Sequence, residues 1–487
     1  MSDASPSRAE FLDLAARYPL VPVWRKILAD RETPVSAFEK LVGDNPGFLL
    51  ESVEGGENWA RWSFIGWDPL FSVVSRDGKV ESTEPTSGDS PIDALESIVA
   101  RFQVPALDGL PPLHSGLVGY LGYDCIRYVE HLPNQPPDDR HLPEMAWQAV
   151  GSLAAFDRAE QSLTLVRNVK IGDDPGGQFD QAQDALDAAA RRLGESRPYT
   201  PKPFDRSRVS PDKVSTTLTA PEFEAAVVKI KKLITEGEAF QVVLSLRLGM
   251  PFADDVLDIY RALRLINPSP FLFFFRMAGI AVAGSSPELM TRVRDRIAYS
   301  RPIAGTRPRG ASPEADARLE EELRHDPKER AEHIMLIDLA RNDLGRVCEF
   351  GSVAVDDLMS VERYSHVMHL VSGVSGKLRP EVGAVDVLRA TFPHGTVSGA
   401  PKVAAMEIID RYEPVARGPY AGALGYIDFN GNVDTAICLR TVVVADGQAW
   451  VQAGAGIVAD SDPRLEYEET MNKAAAALSA VAAVGEV

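Results

Sequence analysis

KERAEHIMLIDLARND, residues 328–343, and PRLEYEETMNK, residues 463–473, each carry two glutamates three positions apart. At 100° of rotation per residue, Glu329 and Glu332 share one helix face, as do Glu466 and Glu469. The first stretch runs on through Ile334, Met335, Leu336, Ile337, Leu339 and Ala340, a pattern that predicts a helix buried nearly all round. Carboxylates on a buried helix need a cation or a donor. Four of them suit a hard divalent ion such as magnesium, which can in turn hold an anionic substrate. Spacing alone leaves the alternative of two solvated acidic faces.

Outward from these helices, composition bounds the chain. It has 487 residues, enough for two or three domains, and its 45% apolar and 25% charged content is that of a globular protein. A formal net charge of −19 argues against a nucleic-acid partner, which would call for a basic face. Cys125, Cys348 and Cys438 are the only cysteines; without a CxxC they form neither a disulfide framework nor a zinc site, and they fit a cytoplasmic chain. MSDASPSRAEFLDLAARYPL lacks the basic-then-apolar order of a signal peptide, and no run of 18 apolar residues predicts a membrane span.

ESRPYTPKPFDRSRVSPDK, residues 195–213, reads as an exposed connection between residues 1–200 and 215–480. Before it, FLLESVE, LFSVVSR, GLVGYLGY and SLTLVR read as antiparallel strands. After it, residues 221–238 read as a helix with Pro221 in its first turn and Gly237 closing it, and FQVVLSLRL and PFLFFFRM as buried strands. The class is α+β, antiparallel sheets with helices outside. Three glycine-containing stretches read as loops for a ligand: PIAGTRPRG (302–310), HGTVSGAPKVAAMEIID (394–410), with Ser398 as a helix cap, and QAGAGIVADSDP (452–463).

PIAGTRPRG, DPKERAEHIMLIDLARNDLGRV, HGTVSGAPK, GPYAGALGYIDFNG and EYEETMNKA, in this order, resemble the chorismate-utilising enzymes, and within them the large subunits of anthranilate synthase. The resemblance spans about residues 45–480. It implies a two-lobed antiparallel β-sandwich with a catalytic cleft built from residues 215–480 and a tryptophan feedback segment in residues 1–200. It implies Glu332 and Glu469 as magnesium ligands, with Glu329 and Glu466 holding bound waters. Gly305, Thr306, Tyr420, Arg440, Gly454, Ala455 and Gly456 match substrate-binding positions, Arg440 and Tyr420 gripping the enolpyruvyl carboxylate. His369 matches the general acid for loss of the ring hydroxyl, Thr396 lies beside it, and Lys473 neutralises carboxylate charge.

Two positions separate the branches of that family. A lysine replaces Ala304 in the para-aminobenzoate branch, and a lysine activates water at the position of Gln241 in isochorismate and salicylate synthases. Neither amine is present, which implies direct attack of ammonia at carbon 2 of chorismate, then pyruvate elimination to anthranilate. No cysteine sits in a nucleophile elbow, so a separate glutamine amidotransferase subunit is implied, in a heterotetramer of two large and two small subunits. Glu51 and Ser52 of LLES, with Pro270, Phe271 and Leu272 of NPSPFLFF, resemble a tryptophan pocket in which the family often has Tyr and Met for Phe271 and Leu272. The competing readings are an enzyme stopping at 2-amino-2-deoxyisochorismate and a non-catalytic tryptophan sensor.

Overall fold

A computed structural model describes residues 4–52, 61–198, 214–363 and 367–484. Most of the expected connection, residues 199–213, lies outside the described residues, as do Val53 and Glu54 of FLLESVE. Strand pairing is antiparallel throughout. A 12-stranded sheet runs from Leu20–Ile27 at one edge, through Gly47–Glu51, Phe271–Met277 and Gln448–Ile457, to Gln241–Pro251 and Ser215–Thr216. A 10-stranded sheet contains Leu117–Leu121, Ala423–Ile427 and Val433–Ile437. A three-stranded sheet is built from Ile303–Pro308, Val367–Val371 and Ser360–Arg363.

Alternation along the strands decides the layers. In Phe271–Met277, Phe273 and Phe275 point between the two large sheets, where they meet Tyr120, Leu424 and Val443. Leu272 and Phe274 point the other way, into a core shared with the helices Val256–Ile266 and Pro463–Val484. The outer face of the 10-stranded sheet is covered by Pro91–Arg101, Pro327–Gly345 and Ala384–Thr391. The result is the expected sandwich with helices outside. The two regions of the chain do not form separate sheets: Gly47–Glu51 pairs with Phe271–Met277, and Leu117–Leu121 pairs with Ala423–Ile427.

Several local expectations hold. The helix Ala220–Thr235 has Pro221 in its first turn and a Thr219–Glu222 capping box, with Gly237 at φ +89° beyond its end. Others do not. The helix Pro327–Gly345 is buried on one side only, with Ile334 48% exposed. Gly454–Gly456 and Ile303–Pro308 are strands rather than loops, because both find edge partners distant in sequence. Ser398 does not cap the helix Lys402–Tyr412; its hydroxyl donates to the His394 carbonyl at 2.9 Å, and Pro401 holds the cap position.

The sheets are also joined by a buried charge. Arg417 is paired with Glu413 at 2.6 Å, both nearly inaccessible. Its guanidinium donates to the carbonyls of Val397 and Val243 and lies over the Tyr123 ring at 4.5 Å. Glu413 accepts from the Ser245 amide and hydroxyl, each at 2.8 Å. Replacing Arg417 with Met leaves the Glu413 charge buried without its partner, so urea unfolding should show a loss of about 3–5 kcal/mol. A variant as stable as the parent would mean that the pair does not hold the sheets together.

Candidate active site

Gly305 and His369 face each other across the three-stranded sheet. A bulge interrupts the register between Ala304 and Thr306, and Gly305 takes it at φ +66°. A Cβ there would come within 3.0 Å of Leu323 Cδ1 and 3.2 Å of Glu329 Oε2. The bulge aims the Gly305 carbonyl at His369 Nδ1, 3.0 Å away, with Thr306 Oγ1 at 3.1 Å from the same nitrogen. A carbonyl only accepts, so Nδ1 carries a ring proton and Nε2 is the nitrogen left to exchange one. Burial pushes the His369 pKa down and the Arg440 charge adds to this, against the Gly305 bond.

The helix that carries Glu329 and Glu332 packs on the strand Ile303–Pro308. Gln241 Nε2 donates to Glu332 Oε1 at 3.1 Å, and Arg307 donates to Glu329 at 3.1 Å and to Asp326 at 2.7 Å. On the C-terminal helix, Lys473 pairs with Glu469 at 2.7 Å and donates to the Gly454 carbonyl at 3.2 Å. Burial raises the pKa of Glu329, and Glu332 raises it further against the pull of Arg307. Glu466 follows the same pattern: burial first, opposed by the Ser461 hydroxyl, with Glu469 raising it and Lys473 and Lys328 lowering it. Lys328 lies on the Glu329 helix, so the two helices stand within electrostatic reach. Among the described residues no three carboxylate, histidine or cysteine side chains lie close enough to hold one ion. The donor chemistry nevertheless fits a hard cation: each pair contains a carboxylate whose charge is disfavoured by burial and by its neighbour, and a divalent ion relieves both.

The strand Gln448–Ile457 forms the cleft's other wall. Gly454, Ala455 and Gly456 pair with Ser245, Leu244 and Val243. Ala455 turns its methyl into the helix-side core, so it offers only backbone to a ligand. Gly456 leaves room for Gln241, whose Nε2 would lie 2.7 Å from a Cβ there. Arg440, at φ +48°, donates from Nη1 to Asn267 Oδ1 at 3.3 Å. Tyr420 is buried under Arg417 at 5.5 Å, and burial keeps its phenol protonated.

One group here was not singled out from the sequence. Glu288, in GSSPELM (284–290), lies with Oε2 2.6 Å from Thr396 Oγ1; burial raises its pKa, opposed by Thr396, Lys473 and Arg440. Its signal was weak: a single glutamate after a proline at the end of an apolar strand. His369, Arg440, Thr396, Glu288 and Lys473 are thus brought together from five separate parts of the chain.

The second group of expected residues lies elsewhere, around a partly open cavity of about 140 Å³ between the two large sheets. Ser52, Pro270, Phe271, Trp62 and Tyr426 line it, and Ser52 Oγ is buried with no hydrogen-bond partner among the described residues. Glu51 and Leu272 edge the cavity, but their side chains turn to the helix-covered face. There Glu51 accepts from the Tyr260 hydroxyl at 2.6 Å and pairs with Arg264 at 2.8 Å.

A family model for chorismate binding enzymes matches residues 47–479. The chain belongs to this family. Anthranilate synthase component 1 of Acetivibrio thermocellus is 44% identical over 493 residues, covering 99% of each chain. The component 1 of Mycolicibacterium smegmatis is 47% identical, covering 98% of this chain and 94% of its own. The crystal structure of anthranilate synthase component I from Streptococcus pneumoniae superposes with a TM-score of 0.77 at 34% identity, covering 93% of this chain and 99% of that one. This chorismate-binding protein is therefore an enzyme of the anthranilate synthase class. No helix among its described residues is long and apolar enough to cross a membrane.

The bulge at Gly305 combines a left-handed backbone with a close approach to Leu323 and Glu329. Gly305→Ala should cost about 1–2 kcal/mol from the left-handed conformation alone. It should also lower kcat/KM for chorismate by more than the stability loss explains, because the carbonyl that holds His369 moves. Thermal unfolding and initial rates read the two effects separately; an unchanged kcat/KM would detach the bulge from catalysis.

Proposed function

We propose that this enzyme aminates chorismate at carbon 2 with ammonia and then eliminates pyruvate to give anthranilate, the first step of tryptophan biosynthesis. The observation that carries the reading is the single cleft in which His369, Arg440, Glu288, Thr396 and Lys473 meet beside the carboxylate pairs. Nothing in that cleft supplies the amine of the related branches, since Ala304 and Gln241 hold the two positions, and Gln241 is bonded to Glu332. Ammonia is then the nucleophile. It comes from a separate glutamine amidotransferase, the component II implied by relatives named component 1, in a heterotetramer of two subunits of each kind.

Chorismate brings two carboxylates. Arg440 supplies a planar fork of donors and Tyr420 a protonated phenol for the enolpyruvyl carboxylate. Glu332 and Glu469, supported by Glu329 and Glu466, would hold magnesium, and such an ion would lower the charge of the ring carboxylate and orient it. The carbon–nitrogen bond forms as the ring hydroxyl departs, and His369 gives that hydroxyl a proton so that water leaves. In the second step the carbon 2 proton is lost as the ether bond to the enolpyruvyl group breaks. Assay of the chain with chorismate, ammonium and magnesium should yield anthranilate and pyruvate, with activity lost on chelation. Accumulation of 2-amino-2-deoxyisochorismate would identify the truncated reaction, and no turnover a sensor.

The protonation of His369 has a defined sign. In the free enzyme burial and Arg440 hold its pKa low, so its imidazolium form disappears as pH rises. A bound dianion offsets Arg440 and raises that pKa. The alkaline limb of kcat should therefore lie at higher pH than that of kcat/KM, and His369→Phe should lose the limb with most of the rate. Coincident limbs in kcat and kcat/KM would assign the limb to another group.

The inter-sheet cavity is the proposed tryptophan site, and its link to the cleft is short. Asn267, whose side chain holds Arg440, begins the NPSP turn that leads to Pro270 and Phe271 at the cavity. A ligand that shifts this turn moves the substrate arginine, and linkage makes chorismate and tryptophan weaken each other by the same factor. Ser52→Phe should fill the cavity and reduce tryptophan inhibition at least tenfold, equivalent to about 1.4 kcal/mol, with the rate in its absence retained. Undiminished inhibition would place the effector elsewhere.

A further inference from the structure

The HGTVS turn holds a histidine that the reaction above does not use. His394 is 6% exposed and caps the short turn Gly395–Val397, its Nδ1 accepting the Thr396 amide at 3.3 Å. A ring nitrogen that accepts carries a lone pair, so the neutral ring has its proton on Nε2. Burial pushes the His394 pKa down to about 3, with the charge of Lys402 adding to it, so the ring is neutral. Lys402 itself is paired with Asp343 at 2.8 Å.

The same Nδ1 lies 2.9 Å from Thr396 Oγ1, and on its far side that oxygen lies 2.6 Å from Glu288 Oε2. A threonine hydroxyl has one proton. Directed at the lone pair of Nδ1, it leaves only lone pairs toward Glu288, and the 2.6 Å contact is then a hydrogen bond only if the carboxyl supplies the proton. The reverse direction needs the proton on Nδ1, which forfeits the bond from the Thr396 amide, or else sets two lone pairs against each other. Burial disfavours the ionised form of Glu288; Lys473 and Arg440 face it and favour that form, as does the Thr396 proton when it turns to the carboxylate.

We propose that His394 is a positioning residue that, through Thr396, holds Glu288 as a neutral carboxylic acid in the resting enzyme, so that the cleft holds a proton donor before substrate arrives. The use of that proton rests on the anthranilate synthase reading; the protonation state does not.

Infrared difference spectroscopy of the protein alone tests it. A carboxylic acid carbonyl band, assigned by its loss in Glu288→Gln, should be present in the parent at neutral pH. In His394→Leu the Thr396 proton turns to Glu288, and the pH midpoint of the band should fall by about one unit, a tenfold change in proton affinity. His394→Asn, whose amide oxygen takes the place of Nδ1, should restore it. Nitrogen-15 spectra should place the His394 proton on Nε2, in a signal absent from His394→Asn. With chorismate and ammonium, kcat should fall in the Leu variant and be restored in the Asn variant, with KM unchanged.

Absence of the band at neutral pH, a proton on Nδ1, or equal effects of Leu and Asn would overturn the proposal, the last by making His394 a space-filling residue. A parent that makes no anthranilate while the infrared result holds would overturn the functional reading and leave the role of His394 standing.

Discussion

The buried pair of Arg417 and Glu413 is the interaction on which the arrangement of this enzyme depends. A charge taken out of water needs every donor and acceptor satisfied, and here the satisfaction is spread over the whole sandwich. Glu413 draws on the strand Gln241–Pro251 of the larger sheet through Ser245. Arg417 fixes the HGTVS turn through the Val397 carbonyl and lies over Tyr123, which follows a strand of the smaller sheet. Tyr420, three residues on, rests against the same guanidinium. One pair of charges therefore ties together strands of both sheets, the turn that carries Thr396 and the Tyr420 phenol.

Sharing strands between the two regions has a functional consequence. Glu51 belongs to a strand at the cavity, yet its carboxylate is bonded to Tyr260 and Arg264 on the helix Val256–Ile266. That helix packs on the C-terminal helix bearing Glu466 and Glu469, and its C-cap Asn267 holds Arg440. One helix therefore makes contacts toward the cavity at Glu51 and toward the cleft at Arg440. The cavity and the cleft are thus neighbours through one helix, although their residues lie hundreds of positions apart in the chain.

Electrostatics in the cleft oppose the overall charge. The chain is strongly acidic, but Arg440, Lys473, Arg307 and Lys402 gather where a dianion would bind. Each is matched to a carboxylate or an amide oxygen in the absence of substrate. Burial and these cations act on the proton affinity of Glu288, Glu329 and His369 in opposite or reinforcing directions, so a change of partner at any of the cations would alter it.

Much of the architecture was legible in the sequence because it is written locally. Period-two alternation in PFLFFFRM, the Thr219–Glu222 cap and the i, i+3 glutamates are properties of short segments, and each reappears as a strand, a helix start or a shared face. The resemblance of five ordered motifs named the family, and with it His369, Arg440 and the carboxylate pairs. Only the tertiary structure decided what depends on partners far along the chain. PIAGTRPRG and QAGAGIVADSDP have the glycine content of loops, but edge partners turn their cores into strands. Ile334 looked interior because periodicity does not say which side of a helix is covered. Glu288 and His394 carried no local mark, since a proton's location is set by burial and by a hydroxyl that a distant turn delivers. Local chemistry is encoded by neighbours in sequence; proton affinity and coupling are set by neighbours in space.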